Sequence, residues 1–90
     1  MTRWTIEFNS KARKDLRKLD KQSADAIERY LDNRVLKASH PKDLGKALAL
    51  NYKGLWRYRV EKFRIICRIE DHKLVVLVVK IGSRDEVYDD

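Results

Sequence analysis

Hydrophobic and polar positions along this chain follow two periods, and the period changes wherever a capping or turn residue stands. Trp4, Ile6 and Phe8 alternate with Thr5 and Glu7, which predicts an opening strand with those three residues turned inward. Asn9-Ser10 stops that strand and offers an N-cap to a helix. Within the helix Ala12, Leu16 and Leu19 line one side, while Lys11, Arg13, Lys14, Arg17 and Lys18 cover the remainder. Asp20 breaks the run and caps a second helix, roughly Lys21 to Leu36, in which Ala24, Ile27, Leu31 and Val35 keep helical spacing beside Tyr30. Lys37 to Lys53 is the least regular stretch: Ser39-His40-Pro41 disfavours helix, and Gly45 and Gly54 punctuate it. Leu44, Leu48 and Leu50 are expected to tuck this loop against the core.

From Leu55 the period returns to two. Trp56, Tyr58 and Val60 share one strand face, and Arg57, Arg59 and Glu61 share the other. A tight connection near Glu61-Lys62 leads into Phe63 to Glu70, where Phe63, Ile65, Cys67 and Ile69 are the apolar set and Arg64 and Arg68 join the polar one. Leu74 to Ile81 is apolar on both faces and rich in β-branched residues, as a central strand is. Gly82-Ser83 then turns the chain into a short final segment, Arg84 to Tyr88. The predicted architecture is an α+β fold in a single domain spanning residues 1–90. It has an N-terminal strand, a two-helix hairpin and an antiparallel meander, forming a four-stranded sheet with the helices packed on one face. The meander has an apolar face and a face of guanidinium groups.

Composition narrows the partners. A chain of 90 residues buries only about 60–65% of its unfolded surface, so a partner is expected to add to its stability. The net charge is +7 with 39% charged residues, which points to an anionic partner, nucleic acid or an acidic protein. One cysteine excludes an internal disulfide, and with two histidines beside it a structural zinc site is not expected. Cys67 reads as a small buried hydrophobe, and His40 and His72 read as solvated loop and turn residues. No apolar signal region or membrane span is legible, so a cytoplasmic protein without a membrane partner is expected.

The order strand, helix, helix, three strands, closed by Gly-x-Arg-x-x-Val-Tyr, resembles the RelE/ParE family of small bacterial toxins. The resemblance runs over nearly the whole chain. It is carried by the Lys/Arg-rich hairpin, Leu44-Gly45, Trp56-Arg57-Tyr58-Arg59-Val60, Phe63-Arg64-Ile65 and Ile81-Gly82-Ser83-Arg84-Asp85-Glu86-Val87-Tyr88. It implies the RelE-like fold, metal-independent chemistry and no cofactor. RelE-like members cut mRNA in the ribosomal A site through attack by the mRNA's own 2′-hydroxyl, whereas ParE-like members inhibit DNA gyrase. The RelE-like site maps onto Arg57, Arg59, Arg64, Arg84 and Tyr88. Guanidinium forks grip phosphate bidentately and stay charged, so Arg64 and Arg84 suit charge developing on non-bridging oxygens. Tyr88 can stack on a base or orient the hydroxyl.

Arg68 and Lys62 extend the RNA-binding set, and Lys11, Arg13, Lys14, Arg17 and Lys18 form either a solvated helix face or a docking surface for ribosomal RNA phosphates. Two departures concern the proton. Arg57 and Arg59 stand where well-known RelE-like members carry lysines, and arginine is a poor general base. Ser83 stands where some relatives carry a histidine, and the chain stops after Tyr88-Asp89-Asp90 where some continue into a helix. The resemblance also implies partners: the 70S ribosome with its mRNA, and an acidic RelB-like antitoxin whose complex binds operator DNA through the antitoxin. Gyrase inhibition and a non-enzymatic basic nucleic-acid-binding module are the alternatives.

Overall fold

Capping and alternation decide the elements in turn. The computed structural model describes residues 3–83. Strand β1 (Thr5–Phe8) ends at Asn9, whose side chain accepts the Ala12 N–H at 2.8 Å and starts α1 (Ser10–Arg17). Asp20 repeats the device, accepting the Ser23 N–H at 3.1 Å at the head of α2 (Lys21–Tyr30). The predicted second helix reaches Leu36 by a π-helical turn over Leu31–Val35, with Leu36 N–H reaching Leu31 O at 3.0 Å. A short strand β2 (Lys46–Ala47) follows, then β3 (Trp56–Val60), β4 (Phe63–Glu70) and β5 (Val75–Ser83).

Among the described residues the sheet runs β1-β5-β4-β3-β2. It therefore has five strands rather than the four expected, because the two-residue β2 pairs with β3 at a length too short for alternation to reveal. The sheet is also mixed: β1 lies parallel to β5 and the other pairs are antiparallel. The apolar β5 is an interior strand, flanked by β1 and β4, which agrees with its apolar sequence. The expected final segment, Arg84 to Tyr88, lies outside the described residues.

One face of β3, β4 and β5 carries the main core. Ile27, Leu31 and Val35 from the second helical segment and Ala12 from α1 close over Tyr58, Val60, Phe63, Ile65, Cys67, Val76, Val78 and Ile81. Burial pushes the Cys67 thiol and the Tyr58 phenol well above their ordinary ranges, and the Tyr58 hydroxyl donates to Pro41 O at 2.6 Å. On β5 the inward set changes phase, from Val76 and Val78 to Ile81, because a bulge sets Ile66 opposite Lys80 but Cys67 opposite Val78.

The expected tuck of the 37–53 loop is correct for Leu44 and Leu48 and incorrect for Leu50. Leu48 is buried and Leu44 packs on the core. Leu50 is 79% exposed at φ 54, opening a short 3₁₀ turn (Leu50–Tyr52) that takes it out of reach. His40 is not the solvated loop residue expected. Its Nε2 lies 2.7 Å from Asp71 Oδ1, its Nδ1 accepts the Lys42 N–H at 3.0 Å, and its ring meets Trp4 edge-on. The hydrogen bond from His40 holds the Asp71 carboxyl below its usual range. His72 is exposed in the turn between β4 and β5.

A single buried carboxylate joins the two layers. Beyond Phe8 and its partner Val78, β5 outruns β1, which leaves the β5 edge uncovered. Asp15 of α1 fills that gap: its Oδ2 accepts the Ile81 N–H at 3.0 Å and its Oδ1 takes Lys11 Nζ at 2.8 Å. Asp15 is only 7% exposed. Its burial opposes ionisation, yet the Ile81 N–H and the Lys11 ammonium outweigh that and hold the carboxyl below its usual range. A depressed pKa contributes stability that is full above the unfolded value, near about 3.9, and is lost as pH falls through the folded one. Asp15→Ala orphans the Ile81 N–H and is expected to cost about 1–3 kcal/mol, seen as a fall in Tm at neutral pH. Asp15→Asn is expected to flatten the acid limb of the stability–pH curve measured by chemical denaturation below about pH 4.

Candidate nucleic-acid interface

Burying one sheet face sends the intervening side chains to the other. Arg57 and Arg59 alternate with the core residues Trp56, Tyr58 and Val60 on β3, and Arg64, Ile66 and Arg68 do the same on β4. The register places Arg59 directly opposite Arg64. Directly opposed side chains share a face, and two cations so placed repel unless an anion joins them. Arg64 is only 6% exposed, so its guanidinium is held largely out of bulk water, while Arg59 stands exposed beside it. Across β5 the partner of Arg64 is Gly82, which carries no side chain on that flank.

One row further along, Arg57 is half-buried opposite Ile66, and on its other side β2 places Lys46 opposite it. Gly45 makes that approach possible. It sits at φ +75, and a Cβ there would meet Arg57 O at 2.4 Å, Trp56 Nε1 at 2.8 Å and Tyr58 Cδ1 at 2.9 Å. The Trp56 indole N–H donates to Leu44 O at 2.7 Å and clamps the same segment. Lys46 was not visible as a site residue in the sequence, since only strand pairing brings it beside Arg57.

The guanidinium face is not uniformly cationic, as alternation alone implied. Ile66 and Leu48 form a second buried cluster with Tyr52, Leu55 and Val79 against them, so the 48–55 segment lies over the middle of this face. Leu48 N–H bonds to Leu55 O at 3.0 Å and closes that segment on itself. Arg57, Arg59, Arg64 and Lys46 form one group, and Arg68 stands exposed beyond Ile66, apart from the Arg59–Arg64 pair.

The remaining candidates occupy the opposite side of the sheet. Lys11, Arg13, Lys14, Arg17 and Lys18 are exposed on α1, which packs through Ala12 on the core face. Arg13 Nε donates to Phe8 O at 3.2 Å. Lys62, on the turn between β3 and β4, has its Nζ 5.5 Å from the centre of the Phe63 ring. Arg84 and Tyr88 lie outside the described residues. Among those described, no group of His, Cys, Asp or Glu is placed to hold a metal ion, and no helix is long and apolar enough to cross a membrane.

This helix-on-mixed-sheet layout with a basic outer face is the fold of the RelE toxins. A solved toxin–antitoxin complex, RelBE2 of Mycobacterium tuberculosis, matches with a TM-score of 0.83 at 26% identity, over 93% of this chain and 94% of that one. The intact RelBE toxin–antitoxin complex of E. coli matches in fold with a TM-score of 0.71 at 21% identity, over 89% and 95%. Toxin RelG of Mycobacterium tuberculosis is 26% identical over 85 residues, covering 94% of this chain and 95% of that protein. Residues 6–88 match the family described as the ParE toxin of type II toxin–antitoxin systems, parDE. The chain therefore belongs to that toxin family, within the RelE/ParE superfamily.

The positive φ and the close backbone at Gly45 give a direct check on how the site is built. Gly45→Ala is expected to destabilise the fold by about 1–3 kcal/mol, measured by urea denaturation. Trp56→Phe, which loses the bond to Leu44 O but keeps the ring, is expected to cost less, about 1 kcal/mol.

Proposed function

We propose that this toxin is a ribosome-dependent, metal-independent endoribonuclease that cuts mRNA in the A-site codon and so inhibits translation. The observation carrying this reading is Arg59 directly opposite a buried Arg64, with Arg57 and Lys46 in the adjoining row. A desolvated guanidinium acts on phosphate far more strongly than one in water, and the buried Arg64 with the exposed Arg59 beside it flanks the extra charge of a phosphorane. In the reaction the 2′-oxygen bonds to phosphorus and the P–O5′ bond breaks. The 2′-hydroxyl gives up its proton and the departing 5′-oxygen gains one, leaving a 2′,3′-cyclic phosphate and a 5′-hydroxyl. Arg57 and Arg59 bind the phosphate and favour loss of the 2′ proton, and Arg64 stabilises the non-bridging oxygens. The resemblance adds Arg84 as a second stabiliser and Tyr88 as the group that stacks on a base or orients the hydroxyl.

Arginine does not exchange its proton at working pH, so a lysine is the better proton carrier in this row. Lys46 is that lysine in our reading. The toxin acts in the cytoplasm on translating 70S ribosomes, and a RelB-like acidic antitoxin neutralises it by covering the arginine face. The antitoxin also carries the complex to operator DNA. The ParE designation of the matching family favours a second reading, inhibition of DNA gyrase.

Primer extension on translating ribosomes separates the two. Wild-type protein is expected to cut within the A-site codon, and Arg59→Ala, at an exposed position that leaves the core intact, to lower the rate by about 100-fold or more. Uncut mRNA with folded wild-type protein, together with inhibited supercoiling by gyrase, would overturn the ribonuclease reading. Lys46→Arg, which keeps the charge, is expected to lower the cleavage rate, with Lys46→Gln no worse.

A further inference from the structure

Tyr52 is the one aromatic residue among those described that the main core does not hold. It closes the 3₁₀ turn Leu50–Tyr52 and lies half-buried against Leu48 and Ile66 on the outer face of the sheet. Cations surround that spot. Ile66 stands in a row with Arg57 and Lys46 on one side and Lys80 on the other. Along β4 the same face carries Arg64 before Ile66 and Arg68 after it, about 13 Å apart at the usual rise of a strand. The turn that presents Tyr52 is costly to hold. Leu50 opens it at φ 54 with its side chain 79% exposed, so neither backbone preference nor burial favours that residue there. The Tyr52 hydroxyl, unlike that of Tyr58, has no hydrogen-bond partner among the described residues.

We propose that the Tyr52 ring is a nucleobase platform: it stacks a base of the single strand whose phosphates the flanking arginines grip, and so gives the cut a base preference. The choice of RNA as that strand rests on the ribonuclease reading above. Single-stranded RNA alternates phosphates with flat, apolar-faced bases, and this face alternates guanidinium groups with an apolar saddle in the same way. Phosphates of one strand that engage Arg59 and Arg64 at one end and Arg68 at the other leave bases between them over Leu48, Ile66 and Tyr52. Leu48 and Ile66 are already covered, so the Tyr52 ring, with Leu55 and Val79 beside it, is what a ligand meets there. A protein partner anchors through several apolar side chains in a broad desolvated patch. One ring between guanidinium groups is a narrower fit, that of a base. The hydroxyl without a partner supplies a donor and an acceptor for a base edge, which stacking alone does not provide.

The test uses the full chain with Tyr52→Phe, which keeps the ring, and Tyr52→Leu, which keeps apolar packing on Leu48 and Ile66 but removes the ring. The probe is a short single-stranded RNA carrying 2-aminopurine, with the same strand made abasic at that position as the control. Wild-type protein and Tyr52→Phe are expected to quench the 2-aminopurine fluorescence, and Tyr52→Leu is not. Affinity is expected to fall roughly tenfold in Tyr52→Leu, and removing the base is expected to cost the wild type as much and that variant nothing. The slope of affinity against salt is expected to stay the same, because no phosphate contact is lost. A melting curve matching that of the wild type establishes that the variant is folded. Equal quenching and affinity in Tyr52→Leu would overturn the proposal, even where the wild type cuts mRNA. So would a smaller salt slope, which would make Tyr52 only a support for the arginine face. Loss of affinity for an acidic peptide alone would overturn it too, and assign the ring to a protein partner. Wild-type protein that cuts no mRNA on ribosomes but still quenches the probe through Tyr52 would sink the ribonuclease reading and leave this site standing.

Discussion

The whole arrangement depends on burying one face of β3, β4 and β5 beneath two helices. Twelve residues form that buried cluster, and at about 25 cal/mol per Å² of apolar surface this burial is the dominant favourable contribution to folding. Side chains alternate along a strand, so the same burial forces Arg57, Arg59, Arg64 and Arg68 to the opposite face. A slip of one residue in the β3–β4 register would place Tyr58 and Ile65 in solvent and guanidinium groups in the core. The cationic face is therefore held by the strongest force in the molecule, and no arginine needs a contact of its own to keep its place.

The sheet alone would give an open polar face, and local devices turn it into a site. Gly45 and the Trp56–Leu44 hydrogen bond press β2 onto β3 and so bring Lys46 beside Arg57. Leu48, Ile66 and their neighbours then cover the middle of the face, dividing Arg68 from the Arg59–Arg64 pair. Arg59 and Arg64 stand directly opposed on this face, Arg64 buried and Arg59 exposed.

Charge is distributed on both sides of the sheet. The arginines, delocalised and fork-shaped, gather on the outer face with Lys46 and Lys80 in the Arg57–Ile66 row, and the lysines of α1 lie on the helix side. A partner that wraps the molecule and meets both surfaces gains from two separate electrostatic contacts. A partner restricted to one face gains from one. This division gives physical content to the +7 charge, which composition reports only as a sum.

Strands, caps and inward residues were legible in the sequence because they depend on neighbours two to four positions away. Asn9 and Asp20 cap the helices as their positions imply, and the alternation from Trp56 to Ile69 assigns faces correctly. The fifth strand was not legible, since Lys46–Ala47 is too short to show a period. His40 read as solvated because its partners, Asp71 and Trp4, are distant along the chain. Asp15 was not singled out by any sequence pattern, and its role exists only where β5 outruns β1. The sequence by itself determined which side chains face the core and which are cationic, because period and composition are local properties. Only the tertiary structure decided which cations stand together, because cross-strand register, the β5 bulge and the close approach at Gly45 join residues that local pattern cannot relate.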